Sequence, residues 1–142
     1  MKLHNTPMPV LLGLSHRLVV KKFKQLDLEL TFDQFMVLMP IWKQDGISQQ
    51  QIVEGCGKDK TSVTRIITTL ENKNYVLRIK DLNDARLNHI YLTKFGKQTV
   101  EKVIPVMRQT RNYIKKDINE NDYNIARSVI IQLIEKLDPN NG

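Results

Sequence analysis

In the stretch at 80–96, KDLNDARLNHIYLTKFG, a polar, turn-prone centre carries Arg86, with Asp84 two residues before it. A loop tip offers few packing partners, so an arginine placed there is free to meet something outside the chain. A guanidinium in that position can enter a minor groove of duplex DNA, where A·T-rich narrowing deepens the negative potential. Asp84 repels phosphate, and its chemistry suits holding a neighbouring arginine through paired hydrogen bonds. A second set lies at 60–65, where Lys60, Thr61, Ser62, Thr64 and Arg65 surround the apolar Val63. On a helix these five form an outward face at the first two turns. Short hydroxyls permit close approach to base edges, and an arginine can make a bidentate bond to guanine. The helix N-terminus also favours nearby phosphate.

A solvated helix face would use the same residue types, so charge placement has to decide between the two readings. Lys and Arg outnumber Asp and Glu by 22 to 15 in 142 residues, a net charge of +7. Between Lys58 and Lys94 there are eight Lys or Arg against four acids, so over half of the excess lies in about a quarter of the chain. That concentration favours an anionic partner, with nucleic acid ahead of a membrane surface. Apolar residues at 41% suffice for a core, and no apolar run approaches the roughly 20 residues needed to cross a bilayer. The N-terminal residues lack the apolar core of a secretory signal, so a cytoplasmic protein is expected. A single cysteine, Cys56, excludes an internal disulfide and a cysteine-based zinc site, and the three histidines show no ligand spacing. Cys56 reads as a small apolar residue of a turn.

The elements that must position these side chains follow from periodicity. Residues 11–28 place Leu11, Leu14, Leu18, Phe23 and Leu26 near one helical face, with Lys21, Lys22 and Lys24 largely outside it. Thr31-x-x-Gln34 forms a capping box ahead of a second helix, which Pro40 should kink or end. Ser48-x-x-Gln51 forms another, opening a short helix that Gly55 and Gly57 stop. Asp59 caps a helix to about Asn74 with Val63, Ile66, Ile67 and Leu70 inward. Short helix, glycine-containing turn and second helix make a helix-turn-helix. VLRIK and HIYLT then alternate with period two on either side of the polar loop, a β-hairpin with an unusually long tip. A long helix with Pro105 inside it follows Thr93. Asn119-x-x-Asp122 opens a last helix carrying Ala126, Val129, Ile130, Leu133 and Leu137. The apolar stripes near both ends lack obvious cover within so small a chain, which predicts a two-fold homodimer.

Segment 31–96 resembles the DNA-binding domain of the MarR family of bacterial transcriptional regulators. The stretches LTFDQFMVL, DKTSVTRIITTLENKNYV, DLNDARLNHIYLT and the closing LTKFG carry the resemblance, over nearly half the chain. It implies a mainly α fold with a small β-hairpin wing, a winged helix-turn-helix flanked by dimerisation helices. The implied domains are 1–30 for the N-terminal dimerisation helix, 31–96 for the reading head and 97–142 for the C-terminal dimerisation helices. Lys60, Thr61, Ser62, Thr64 and Arg65 would then lie on the recognition helix, and Arg86 would be the wing arginine in the minor groove. Asp84 would brace an arginine of the reading head. Where the family's wing usually has arginines this chain has Asn83 and Ala85, and where many members have apolar residues it has Gly55 and Lys58.

The resemblance further implies a homodimer acting on a pseudo-palindromic duplex as a regulator, here read as a repressor. A small aromatic or carboxylate effector would bind in a crevice for which His16, Trp42 and Tyr113 are the polar-tipped candidates. Family members that sense oxidation carry their cysteine in the first helix, where this chain has none. No metal and no cofactor are expected. No glycine-rich phosphate loop, G-x-S-x-G, H-E-x-x-H or C-x-x-C motif occurs, which speaks against an enzyme. A winged module binding protein or RNA is the alternative, since one scaffold serves several partners.

Overall fold

The computed structural model describes residues 2–139. Its first long helix, α1, runs Met8–Lys24, starting three residues earlier and ending four earlier than the periodicity suggests. Only Phe23 of α1 is buried, and it meets Phe32 edge-on at 5.6 Å and Phe35 at 5.5 Å. Helix α2, Phe32–Lys43, opens on the expected box: Thr31 Oγ1 accepts from the Gln34 amide at 3.1 Å, and Gln34 Oε1 accepts from the Thr31 amide at 3.0 Å. Pro40 does not end this helix. One lost donor so near the C-terminus is offset by packing, because Ile41 beyond it is fully buried.

A strand that the sequence pattern did not suggest, β1 at Ile47–Ser48, follows α2. Ser48 then caps α3, Gln49–Cys56, through the same reciprocal pairing with Gln51. Gly55 lies inside α3, and the helix stops at Gly57 alone, whose φ of +67° is a left-handed terminator. Asp59 opens α4, Lys60–Asn72, accepting from the Ser62 amide at 2.8 Å. The hairpin consists of β2, Val76–Lys80, and β3, Asn88–Leu92. β3 is central in a three-stranded antiparallel sheet, pairing Ile47 with Ile90 on one side and Arg78 with Ile90 on the other.

Helix α5 spans Lys94–Lys115, and α6, Glu120–Leu137, is capped by Asn119. Gly96 in the first turn of α5 is required by close approach, since a Cβ there would overlap the Tyr75 carbonyl oxygen. Tyr75 and Phe95 stack beside it at 4.9 Å. The mainly α fold with a small wing is therefore what forms.

The chain divides into two compact units, the first ending at Ile104 and the second beginning at Pro105. In the first, Leu38 and Ile41 of α2, Ile52 of α3, Ile67 and Leu70 of α4, and Ile90 of β3 are fully enclosed. Each such burial is worth roughly 1.5–3 kcal/mol, so this cluster fixes α3, α4 and the sheet relative to one another. In the second unit, Lys115 Nζ lies 4.6 Å from the Tyr123 ring centroid, and no described residue of α6 is buried. Among the described residues, no helix is long and apolar enough to cross a membrane.

Candidate nucleic-acid interface

The site is built from α4, the turn before it, and the wing. Lys58 in the turn does not pack as an apolar residue would. It reaches back to Asp33 in the first turn of α2, with Nζ 2.9 Å from Oδ1. Cys56 is half-buried and is the last residue of α3, so it belongs to the helix and not to the turn that Gly57 opens. Asp59 stays ionised: the Ser62 amide, then the Ser62 hydroxyl, holds its carboxyl below the usual carboxylate range.

The five residues of the α4 face divide into two groups. Lys60, Thr61 and Arg65 are exposed. Ser62 and Thr64 are half-buried and their hydroxyl protons are committed. Ser62 Oγ donates to Asp59 Oδ2 at 2.8 Å, and Thr64 Oγ1 donates to the Lys60 carbonyl at 2.8 Å. Thr64 Oγ1 also accepts from Gln49 Nε2 at 2.7 Å, which ties α3 to α4. Either hydroxyl could meet a base edge only as an acceptor, or after giving up a bond it already makes.

In the wing, Asp84 Oδ1 accepts from both the Arg86 amide at 3.0 Å and Arg86 Nε at 3.1 Å, while Oδ2 lies 3.4 Å from Nη2. This carboxylate sits below the usual range, chiefly because the Arg86 side chain donates to it and then because the Arg86 amide does. The arginine that Asp84 holds is Arg86, its neighbour two residues on in the wing of the reading head, and the pair closes a ring within the loop. Arg86 remains 90% exposed along its side chain, so it is oriented without being covered.

Between α3, α4 and the wing lies a concavity of about 650 Å³ whose wall includes Lys60, Thr64 and Arg86. Its wall also includes Gln49 and Arg78, which sequence reading did not single out. Arg78 Nη2 donates to Thr68 Oγ1 at 3.2 Å. Arg78 Nε and Gln49 Oε1 are buried without a protein partner among the described residues. Arg78 was visible in the sequence only as one charge among eight. Strand parity could have placed it, because it shares a side of β2 with the buried Val76 and so turns toward α4.

Of the three effector candidates, His16 and Trp42 lie in the first unit and do not line one cavity. His16 meets Phe32 edge-on at 5.8 Å and lines a cavity of about 970 Å³ with Arg17, Lys21 and Phe32. Trp42 is exposed and does not line that cavity. Tyr113, 79% exposed, belongs to the second unit.

A helix-turn-helix whose second helix exposes a basic N-terminal face beside a hairpin is a winged helix-turn-helix. Residues 30–87 match the model of the MarR family, so the chain carries a MarR-family domain there. The uncharacterized HTH-type transcriptional regulator YybA of Bacillus subtilis is 30% identical over 83 residues, covering 58% of this chain and 53% of that one. The chain spans about half the length of the curated relatives it matches. Among solved structures, the S. aureus MepR–DNA complex superposes with a TM-score of 0.82 at 20% identity, over 94% of this chain and 100% of that one. PcaV from Streptomyces coelicolor, in complex with its natural ligand, gives 0.84 at 15% identity, over 97% and 98%. At these identities the two structures establish the fold.

Proposed function

We propose that the chain is a sequence-specific duplex-DNA-binding transcriptional regulator, a cytoplasmic repressor that acts as a homodimer on a pseudo-palindromic site. The observation that carries this reading is the pairing of two exposed, pre-oriented groups on one basic face. The first turns of α4 offer Lys60, Thr61 and Arg65, and the wing offers Arg86 held by Asp84. Arg65 reads a base edge in the major groove, Arg86 enters the minor groove, and Lys60 and Arg78 meet phosphate. Duplex DNA as the partner is supported by the S. aureus MepR complex. A homodimer is supported by the exposed Ile125, Ile131 and Ile134 of α6, and it would set two reading heads on two half-sites.

Release by a small aromatic or carboxylate effector belongs to the same proposal. Arg17 and Lys21 would neutralise a carboxylate in the cavity lined by His16, and Phe32 would meet a ring. The ligand in the PcaV structure supports an effector.

Selection of bound duplexes from a random pool tests the reading. A palindrome should be enriched, with affinity falling steeply as salt rises. Retention of single-stranded RNA in preference to any duplex would favour an RNA-binding module instead.

A further inference from the structure

Asp81 and His89, at the root of the wing, have no part in the contacts proposed above. The His89 ring is bonded at both nitrogens, with Nδ1 3.0 Å from the Gly46 carbonyl oxygen and Nε2 2.7 Å from Asp81 Oδ2. A carbonyl and a carboxylate only accept, so both bonds exist together only when both ring nitrogens carry protons. A neutral ring keeps one bond and turns a lone pair toward the other acceptor. The second Asp81 oxygen accepts from the amides of Asn83 and Asp84 at 2.8 and 3.0 Å. Asp84, so placed, holds Arg86. At the other end, Gly46 belongs to the turn before β1, and its amide donates to the Ile90 carbonyl at 3.0 Å. One imidazolium therefore ties the turn ahead of α3 to the loop that presents Arg86.

We propose that protonated His89 is a positioning residue for the wing: acting through Asp81, it orders the loop that carries Arg86, and duplex affinity falls as His89 loses its proton. The affinity half rests on the DNA-binding reading; the ordering half does not.

Among the described residues, no charged group other than Asp81 bonds the His89 ring. Asp45, in the α2–β1 turn, accepts from the Leu92 amide at 3.1 Å, and Asp84 is occupied by Arg86. β2 places Ile79 opposite His89, with Arg78 and Lys80 on either side, and Arg78 donates to Thr68. β1 places Ser48 opposite, and α2 and α3 contribute Lys43 and Glu54, the latter accepting from Gln50. Asp81 first, then the Gly46 carbonyl, raises the His89 pKa above its ordinary value. His89 first, then the Asn83 amide, lowers that of Asp81. The His89 contribution is thus complete below the ordinary histidine value and is lost as pH rises through the raised one. The Asp81 contribution is lost only in acid, as pH falls through its lowered value.

The test uses the full chain, its His89→Gln and Asp81→Asn variants, and the duplex recovered by selection, at constant ionic strength. Histidine-ring and amide NMR shifts are followed with pH, and affinity is measured at about pH 6 and about pH 8.5. His89 should titrate above the ordinary value, the Asn83 and Asp84 amides should follow the same midpoint, and Asp81→Asn should lower it. Wild-type affinity should fall roughly fivefold or more between the two pH values, while His89→Gln, with His4 and His16 retained, stays level. Parallel pH profiles for wild type and His89→Gln, or a His89 midpoint at or below the ordinary value, would overturn the proposal. Should wild type bind no duplex at either pH, the DNA-binding reading fails and takes the affinity half with it. The joint titration of His89 with the two amides, measured in wild type and Asp81→Asn, then decides the ordering half.

Discussion

The reading head and the last helix use apolar residues in opposite ways. In the head, Leu38, Ile52, Ile67 and Ile90 come from four different elements and enclose one another completely. Helix α6 carries a comparable density of isoleucine, leucine and valine, yet Ile125, Ile134 and Leu137 stay exposed, Leu137 by 81%. The helical period is equally clear in both. What differs is whether other parts of the same chain come to cover the stripe, and for α6 nothing among the described residues does so fully. A head that closes its own core can present a rigid, basic face. A helix with uncovered isoleucines suits a second copy of itself, as the homodimer proposal requires.

The largest expected effect lies in the enclosed region. Ile67→Ala should cost about 2–5 kcal/mol of stability, read by denaturant unfolding, because Ile67 is fully buried and its site cannot collapse freely. A loss below about 0.5 kcal/mol, typical of a surface site, would break the contrast from that side. Next comes Ile134→Glu on α6. It should weaken self-association by roughly 30-fold or more in sedimentation equilibrium, while the NMR spectrum of residues 32–92 stays folded. An unchanged association constant would show that the exposed isoleucine is not an interface residue.

Arg86→Lys should then lower affinity for duplexes with A·T-rich flanks by about tenfold, and for G·C-rich flanks less. An ammonium is more strongly hydrated than a guanidinium and gives up more on entering a narrow groove. Equal binding of both duplexes by wild type and variant would reduce Arg86 to a general counter-charge. The smallest effect belongs to Lys58→Ala. Its pair with Asp33 is partly exposed and should contribute about 0–1 kcal/mol to unfolding.

What the sequence made legible was local. The boxes Thr31–Gln34 and Ser48–Gln51, the Asp59 and Asn119 caps, and the period-two runs of the hairpin depend on neighbours within a few residues. Each formed where expected. Strand β1 was not legible, since two residues carry no period and Ile47 becomes a strand residue only by pairing with Ile90. That α2 continues past Pro40 was not legible for a related reason, as the burial of Ile41 beyond it is a tertiary fact.

The candidate site divides along the same line. Exposure of Lys60, Thr61 and Arg65 followed from helix periodicity. The tying of Thr64 to Gln49, and the placing of Arg78 beside Thr68, needed contacts across loops. That Asp84 holds a neighbouring arginine was legible from its chemistry, while spacing alone did not say that the arginine is Arg86.

In the proposed mode of action, each chain supplies a self-contained reading head and two chains read one duplex. Native mass spectrometry or analytical ultracentrifugation of the chain on its selected duplex tests this most directly. Two chains should bind each palindromic duplex, and Ile134→Glu should abolish the complex. A saturated complex holding one chain per full site, or one whose stoichiometry ignores the Ile134→Glu change, would contradict it.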